Sequence, residues 1–260
     1  LSGIDSKRIP ELDKYQILNS PSNLCLILAL NPKEKPFDDI EVRKAINLAI
    51  DKNKIIQLAM NGKGTPIYTN MSPVMSKFLW AAPEEKADPQ KAKQILEEKK
   101  LLPIKFTLKV PNSSKIYLDT AQSIKEQLKE VGITVDLEII EWATWLSDVY
   151  TNRKYEASLA GLAGKMEPDA ILRRYTSTYA KNFTNFNNAR YDMLIEEAKR
   201  TSNEAKQVEN YKEAQKILAE EQAAIFLMDP NTIIATEKGL EGFEFYPLPY
   251  FNFAKLYFKK

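Results

Sequence analysis

The chain has 260 residues, enough to bury one or two cores, and its 44% hydrophobic and 28% charged shares are near the globular norm. With 37 basic against 35 acidic residues the net charge is +2, so nothing supplies the concentrated basic patch that nucleic acid requires. There is no histidine and one cysteine, which excludes Ser-His and Cys-His nucleophiles, imidazole bases, His-rich metal sites and an intrachain disulfide.

The first periodic element is LCLILALN at 24–31, an apolar strand with no sequence neighbour to pair with; Cys25 within it reads as a buried, inert thiol. This run and 223–228 are the longest apolar stretches, well short of the roughly 20 residues of a membrane helix. The chain opens on Leu1, so it is silent about any targeting segment. Val42, Ala45, Ile46, Ala49 and Ile50 form one helical face, and Asp51 is placed to cap a second short helix carrying Ile55, Ile56 and Ala59.

From residue 88 the pattern alternates. Asp88-Pro89 starts a helix with Ala92, Ile95 and Leu96 on its apolar face. Residues 103–110 put Ile104, Phe106, Leu108 and Val110 on one side of a strand. A helix with Tyr117, Ala121, Ile124, Leu128 and Val131 follows and stops at Gly132. Ile133, Val135, Leu137 and Ile139 mark another strand, and a helix is expected around Trp142 and Trp145. The strand at 155–159 then runs into a loop, GLAGKM, that leaves through Glu167-Pro168-Asp169. Glycine permits positive φ or close approach, so two of the chain's 8 glycines in this loop pose the question of what it approaches. The rhythm argues for an α/β layer with parallel pairing.

Two amphipathic helices follow, the second marked by Val208, Tyr211, Ala214 and Leu218. AAIFLM then reads as a buried strand, TIIATEKG as a further one, and 243–258 as an aromatic, strand-like tail with two prolines. Both ends of the chain look like strands whose sheet lies elsewhere. The phosphate-loop pattern, the GxSxG elbow, GxGxxG and the DxDxDG calcium spacing are all absent, and Gly62-Lys63-Gly64-Thr65 is a turn. Carboxylates are plentiful, which leaves a glycosidase-like pair open but singles none out. A binding module with no cofactor fits better than an enzyme.

Four segments, in order, resemble one family. PFDDIEVRKAINLAIDKNKII, ADPQKAKQILEE, AQSIKEQLKEVGITVDLEIIEW and NFTNFNNARYDMLIEEAKRTSNEAKQVENYKEAQKILAEE are similar to segments of the family 5 extracellular solute-binding proteins, which serve ABC importers of peptides, nickel and related ligands. The resemblance implies a two-lobed periplasmic-binding-protein fold (type II, cluster C-like), with a mixed α/β sheet flanked by helices, of which this chain is the second half. Residues 1–33 would then be a remnant of the first lobe and a hinge strand, 34–231 the second ligand-binding lobe, and 232–260 the return hinge strand and a first-lobe segment. The implied partners are a peptide or other small solute, the missing N-terminal lobe and an ABC permease. The implied location is periplasmic or extracellular, with a lipid anchor as one option. The same fold in a ligand-sensing regulator is the alternative.

By this comparison the GLAGKM loop lines the cleft. Gly161 takes the family's glycine position and Leu162 its tryptophan position; the aspartate that pairs with a peptide's α-amino group is replaced by Gly164 or Lys165. The candidate ligand-binding residues are Gly161, Leu162, Ala163, Gly164, Lys165 and Met166 of the loop, Asn182 and Phe183 beyond Arg173 and Arg174, and Tyr68 and Trp80. Lys165 would receive a ligand carboxylate, the plain alternative being an exposed lysine. For Tyr68, Trp80, Trp142 and Trp145 the alternative is core packing. The acid-free loop is closer to the nickel members, but without histidine this chain is not expected to ligate metal.

Overall fold

The computed structural model describes residues 4–248 and 250–259; residues 1–3, 249 and 260, which belong to the two expected terminal segments, lie outside it. A 3-10 helix (Ser6–Leu12) leads into β1 (Gln16–Pro21) and β2 (Leu24–Leu30), which are separated only by Ser22 and Asn23. Then come α1 (Ile40–Ala49) and α2 (Lys52–Met60), and the Asp51 side chain caps α2 as expected, accepting from the Asn53 and Lys54 amides. After β3 (Gly64–Pro66), α3 (Pro89–Glu98) starts on the expected Asp88 cap. The alternating middle is β4 (Ile104–Pro111), α4 (Lys115–Glu130) and β5 (Ile133–Ile140), then α5 (Trp142–Thr144) continuing into a π-helical turn, Trp145–Thr151, and β6 (Ala157–Ala163). The remaining elements are α6 (Pro168–Leu172), α7 (Ala189–Arg200), α8 (Glu204–Glu220), β7 (Ile225–Thr236), β8 (Leu240–Glu241) and β9 (Tyr257–Phe258). No described helix is long and apolar enough to cross a membrane.

Seven strands make one mixed sheet in the order β1-β7-β2-β6-β4-β5, with β3 also on β7. β4 lies parallel to both β5 and β6, the pairing the alternation implied. The expectation that Leu24–Leu30 lacks a local sheet is corrected: β2 sits between β6 and β7, antiparallel to both. A run that is apolar on both faces carries no register, and its partners stand far downstream, at 157–163 and 225–228. AAIFLM and TIIATEKG are likewise not two strands, because β7 is one strand of 12 residues. Its first part pairs with β2, its middle with β3 and its last part with β1.

The central strands divide two cores. Leu26, Leu28 and Leu30 of β2 point into one, with α1–α4, while Cys25, Ile27 and Ala29 point into the other, with α6–α8. Burial on both faces is why β2 reads as a continuous apolar run, and it pushes the Cys25 thiol far above its ordinary pKa. On edge strand β5, Ile133 and Val135 are buried but Leu137 is only half-buried and Ile139 is 58% exposed; Ile140 instead enters the second core. The expected alternation stops where the cover of the first core ends.

A buried carboxylate ties the crossing strands together. Asp229, in the middle of β7, is fully buried. Its Oδ1 accepts from the Ser22 backbone N–H and the Ser22 hydroxyl, both at 2.9 Å. Its Oδ2 accepts from the Asn23 N–H at 3.1 Å and from the Ser72 hydroxyl. Burial raises the Asp229 pKa, and these donors offset part of the rise. One side chain thereby fixes the two-residue link between β1 and β2, the loop after β3, and β7.

A second buried charge sits at the start of α2. Lys52 is 7% exposed; its Nζ donates to the Ile67 carbonyl at 3.0 Å and lies 4.0 Å from the centre of the Tyr68 ring. Burial pushes its pKa down from 10.5 to about 8, against the attraction of Glu85.

Both groups can be tested by substitution. Asp229→Asn places an amide NH2 against donors that need an acceptor; it should cost about 1–3 kcal/mol, since a buried donor is left unmet. A urea midpoint within error of the parent would refute this role for Asp229. For Lys52, the unfolded chain binds more protons than the folded one between pH 8 and 10.5. Its contribution to stability therefore rises with pH through that window and is lost as pH falls towards about 8. Relative to Lys52→Met, the parent should gain on the order of 3 kcal/mol across the window, because one proton held over one pH step is worth about 1.36 kcal/mol. Paired urea titrations at the two ends of the window measure the difference, and parallel curves for the two proteins would contradict it.

Candidate functional site

The two glycines of the GLAGKM loop each face a close neighbour. A Cβ at Gly161 would lie 2.6 Å from the Tyr117 hydroxyl, and one at Gly164 would lie 1.9 Å from Asn23 Oδ1. Neither glycine has a positive φ, so close approach and not backbone conformation demands them. Asn23 does occupy the left-handed region (φ 58), and its carbonyl accepts from the Gly164 N–H at 2.6 Å. Its side-chain amide donates to the Pro247 carbonyl at 2.8 Å. The end of β6 is thus locked to the link between β1 and β2.

Beside this end of β6 opens a pocket of about 290 Å³, lined by Trp142, Trp145, Leu146 and Tyr150 on one side and by Gly161, Leu162 and Ala163 at its base. Arg174, Tyr175, Lys181, Phe183 and Thr184 complete it. The aromatic wall is ordered. Trp142 and Trp145 stack with ring centres 5.0 Å apart and planes 3° from parallel. Phe183 meets Trp145 and Tyr150 at 5.9 and 5.5 Å. The Trp145 indole N–H donates to the Ser158 hydroxyl at 2.9 Å, which anchors the wall to β6. The π-helical turn holds Trp145 buried while Trp142 stays 42% exposed over the opening; such turns are frequent at functional sites.

The opposite side is built by hydrogen bonds. Asn182, buried, donates from Nδ2 to the Phe186 carbonyl at 2.8 Å and the Thr176 carbonyl at 3.1 Å, and its Oδ1 accepts from the Thr184 hydroxyl at 2.9 Å. Tyr155 donates to the Phe183 carbonyl at 2.7 Å. Arg153 donates to the Ala180 and Asn182 carbonyls at 2.8 and 3.1 Å, which fixes the turn that carries Lys181. Arg174 donates from Nη2 to the Ala163 carbonyl at 2.8 Å and so braces the floor.

Of the sequence candidates, Gly161, Leu162, Ala163 and Phe183 come together in this pocket. Asn182 stands behind it as a loop organiser. Gly164, Lys165 and Met166 lie past its rim, with Lys165 and Met166 exposed. Tyr68 and Trp80 line a separate, narrow crevice with Asn47, Lys52 and Glu85. The sequence reading did not select Arg174, Lys181 or Tyr150; cations and a tyrosine at loop and helix positions carry no periodic signal. Trp142 and Trp145 had a visible signal, two tryptophans in four residues, but no direction.

The same architecture recurs in known proteins. Residues 2–183 match the family model described as bacterial extracellular solute-binding proteins, family 5 Middle. The oligopeptide-binding protein AppA of Bacillus subtilis is 28% identical over 265 residues, spanning 94% of this chain and 48% of that protein. The solved structure of Bacillus subtilis AppA with a nonapeptide has a TM-score of 0.83 at 26% identity and covers 99% of this chain and 55% of its own. HbpA2 of Haemophilus parasuis has a TM-score of 0.89 at 18% identity, covering 98% and 53%, and bears on the fold alone. The chain spans about half the length of the curated relatives it matches. The mixed sheet flanked by helices is that of the type II periplasmic binding proteins, and the resemblance carried by the four sequence segments is borne out. The chain belongs to the bacterial extracellular solute-binding proteins of family 5, a periplasmic or extracellular class.

Proposed function

We propose that this chain is the C-terminal lobe of the substrate-binding component of an ABC importer for peptides or a related small solute. The observation that carries the reading is the aromatic pocket at the end of β6. It is open to one side and locked by Gly164 and Asn23 to the link where β1 passes into β2. Ligand would be held there by this lobe's surface alone, and a partner lobe would cover the open side by hinge closure. We place the second lobe at 34–231, with β2 and β7 as the strands that cross towards the first lobe, since both pair within the central sheet and β7 runs on to pair with β1. The first lobe would then lie beyond β1, and the closed pair would be presented to a membrane permease. The protein performs no chemistry; its work is selective capture.

A single wall gives half the contacts and no exclusion of water, so most of the affinity of an enclosed site is forfeited. Calorimetry of this chain alone against pooled di-, tri- and oligopeptides should show no binding tighter than the millimolar range. A saturable micromolar isotherm would overturn the half-site reading. In the full two-lobed protein, a bound solute should contract the radius of gyration in solution scattering, and an unchanged radius at saturation would overturn closure.

A further inference from the structure

The charges around the pocket are one-sided. Arg174 and Lys181 are the two cations that line it, and no described Asp or Glu does. Elsewhere on the surface cations find acids, as at Lys105–Asp136 and Lys115–Asp119. Among the described residues, neither Arg174 nor Lys181 has a carboxylate within ion-pair distance. Arg174 spends one N–H on the Ala163 carbonyl, leaving the rest of its five-donor fork for another acceptor. Its charge also opposes the upward push of burial on the Tyr150 and Tyr175 hydroxyls, which places it on the pocket side. Tyr175 also lines the pocket and is 1% exposed, so the two cations are the pocket's charged groups among the described residues.

We propose that this pocket selects a carboxylate carried on a flat apolar group, the carboxylate lying between Arg174 and Lys181 and the apolar part against Trp142, Trp145 and Phe183. A ligand ammonium there would meet two like charges and no counter-ion, which disfavours it. The turn that carries Lys181 is already fixed by Arg153 and Asn182, so little ordering is needed on binding. This inference rests on the pocket being the solute site proposed above and narrows its ligand class.

The test uses three probes of one shape and different charge: hydrocinnamate, its amide and phenylpropylamine. Each is titrated at millimolar concentration into this chain, with quenching of tryptophan fluorescence as the readout. Hydrocinnamate should bind about tenfold or more tighter than the amide, the advantage expected of a charge-assisted hydrogen bond, and the amine should not saturate. Lys181→Gln, at an exposed position, should cut the preference several-fold and make it less sensitive to salt. Arg174→Gln should abolish most of it, and Arg174→Lys should restore part. If the amide or the amine binds as well as the acid, the inference is overturned while the solute-site reading stands. If the preference survives in the double Gln variant, the assignment to these residues is overturned. If none of the three quenches, the inference is overturned, while the half-site reading, which expects no tight binding by one lobe, stands.

Discussion

The arrangement of this chain depends on one buried carboxylate. Asp229, in β7, gathers donors from two segments far from it in sequence: Ser22 and Asn23 between two strands, and Ser72 in a loop. A buried anion is costly unless it is met by hydrogen bonds, and here it is met four times. The result is a crossing point at which β1, β2, β3 and β7 have defined positions. The β2–β6 register follows from that point, with Leu24 opposite Ala163, and the pocket sits at the end of that register.

Around this point the two cores are built by ordinary means. The central strands are apolar on both faces, so helices must cover both, and the α/β layering follows from that requirement. The pocket forms where the cover is incomplete. On one side the helix after β5 takes a π-helical turn, which keeps Trp145 inward and leaves Trp142 partly outside. On the other, the chain from 173 to 186 has little regular structure and is held by side chains that donate to carbonyls, Asn182, Arg153 and Tyr155 among them. An irregular wall with satisfied backbone groups can keep a cavity open without collapsing.

Local features were legible in the sequence. Asp51 and Asp88 cap the helices they precede, Gly132 ends α4 with a positive φ of 84°, and β4 shows its period of two from Ile104 to Val110. These are effects of residues within a turn or two of each other. What was not legible depends on distant partners. Nothing within 24–30 says that its neighbours will be 157–163 and 225–228. The two loop glycines announced a close approach, but Tyr117 and Asn23 could be named only from coordinates. Arg174 and Lys181 look like any other surface cations until the absence of nearby acids is seen in space, and Lys165, which stood out in sequence by its place between Gly164 and Met166, is an exposed side chain.

The hydrogen bond from Gly164 to the Asn23 carbonyl has a mechanical meaning. Asn23 is held at three points, by Asp229, by the Pro247 carbonyl and by Gly164, and the Cβ that Gly164 lacks leaves the room its side-chain amide occupies. The lip of the cavity at Gly164 and the strand crossover at Asn23 are therefore joined directly by a backbone hydrogen bond. A displacement of one is passed to the other through that bond, with no side chain in between.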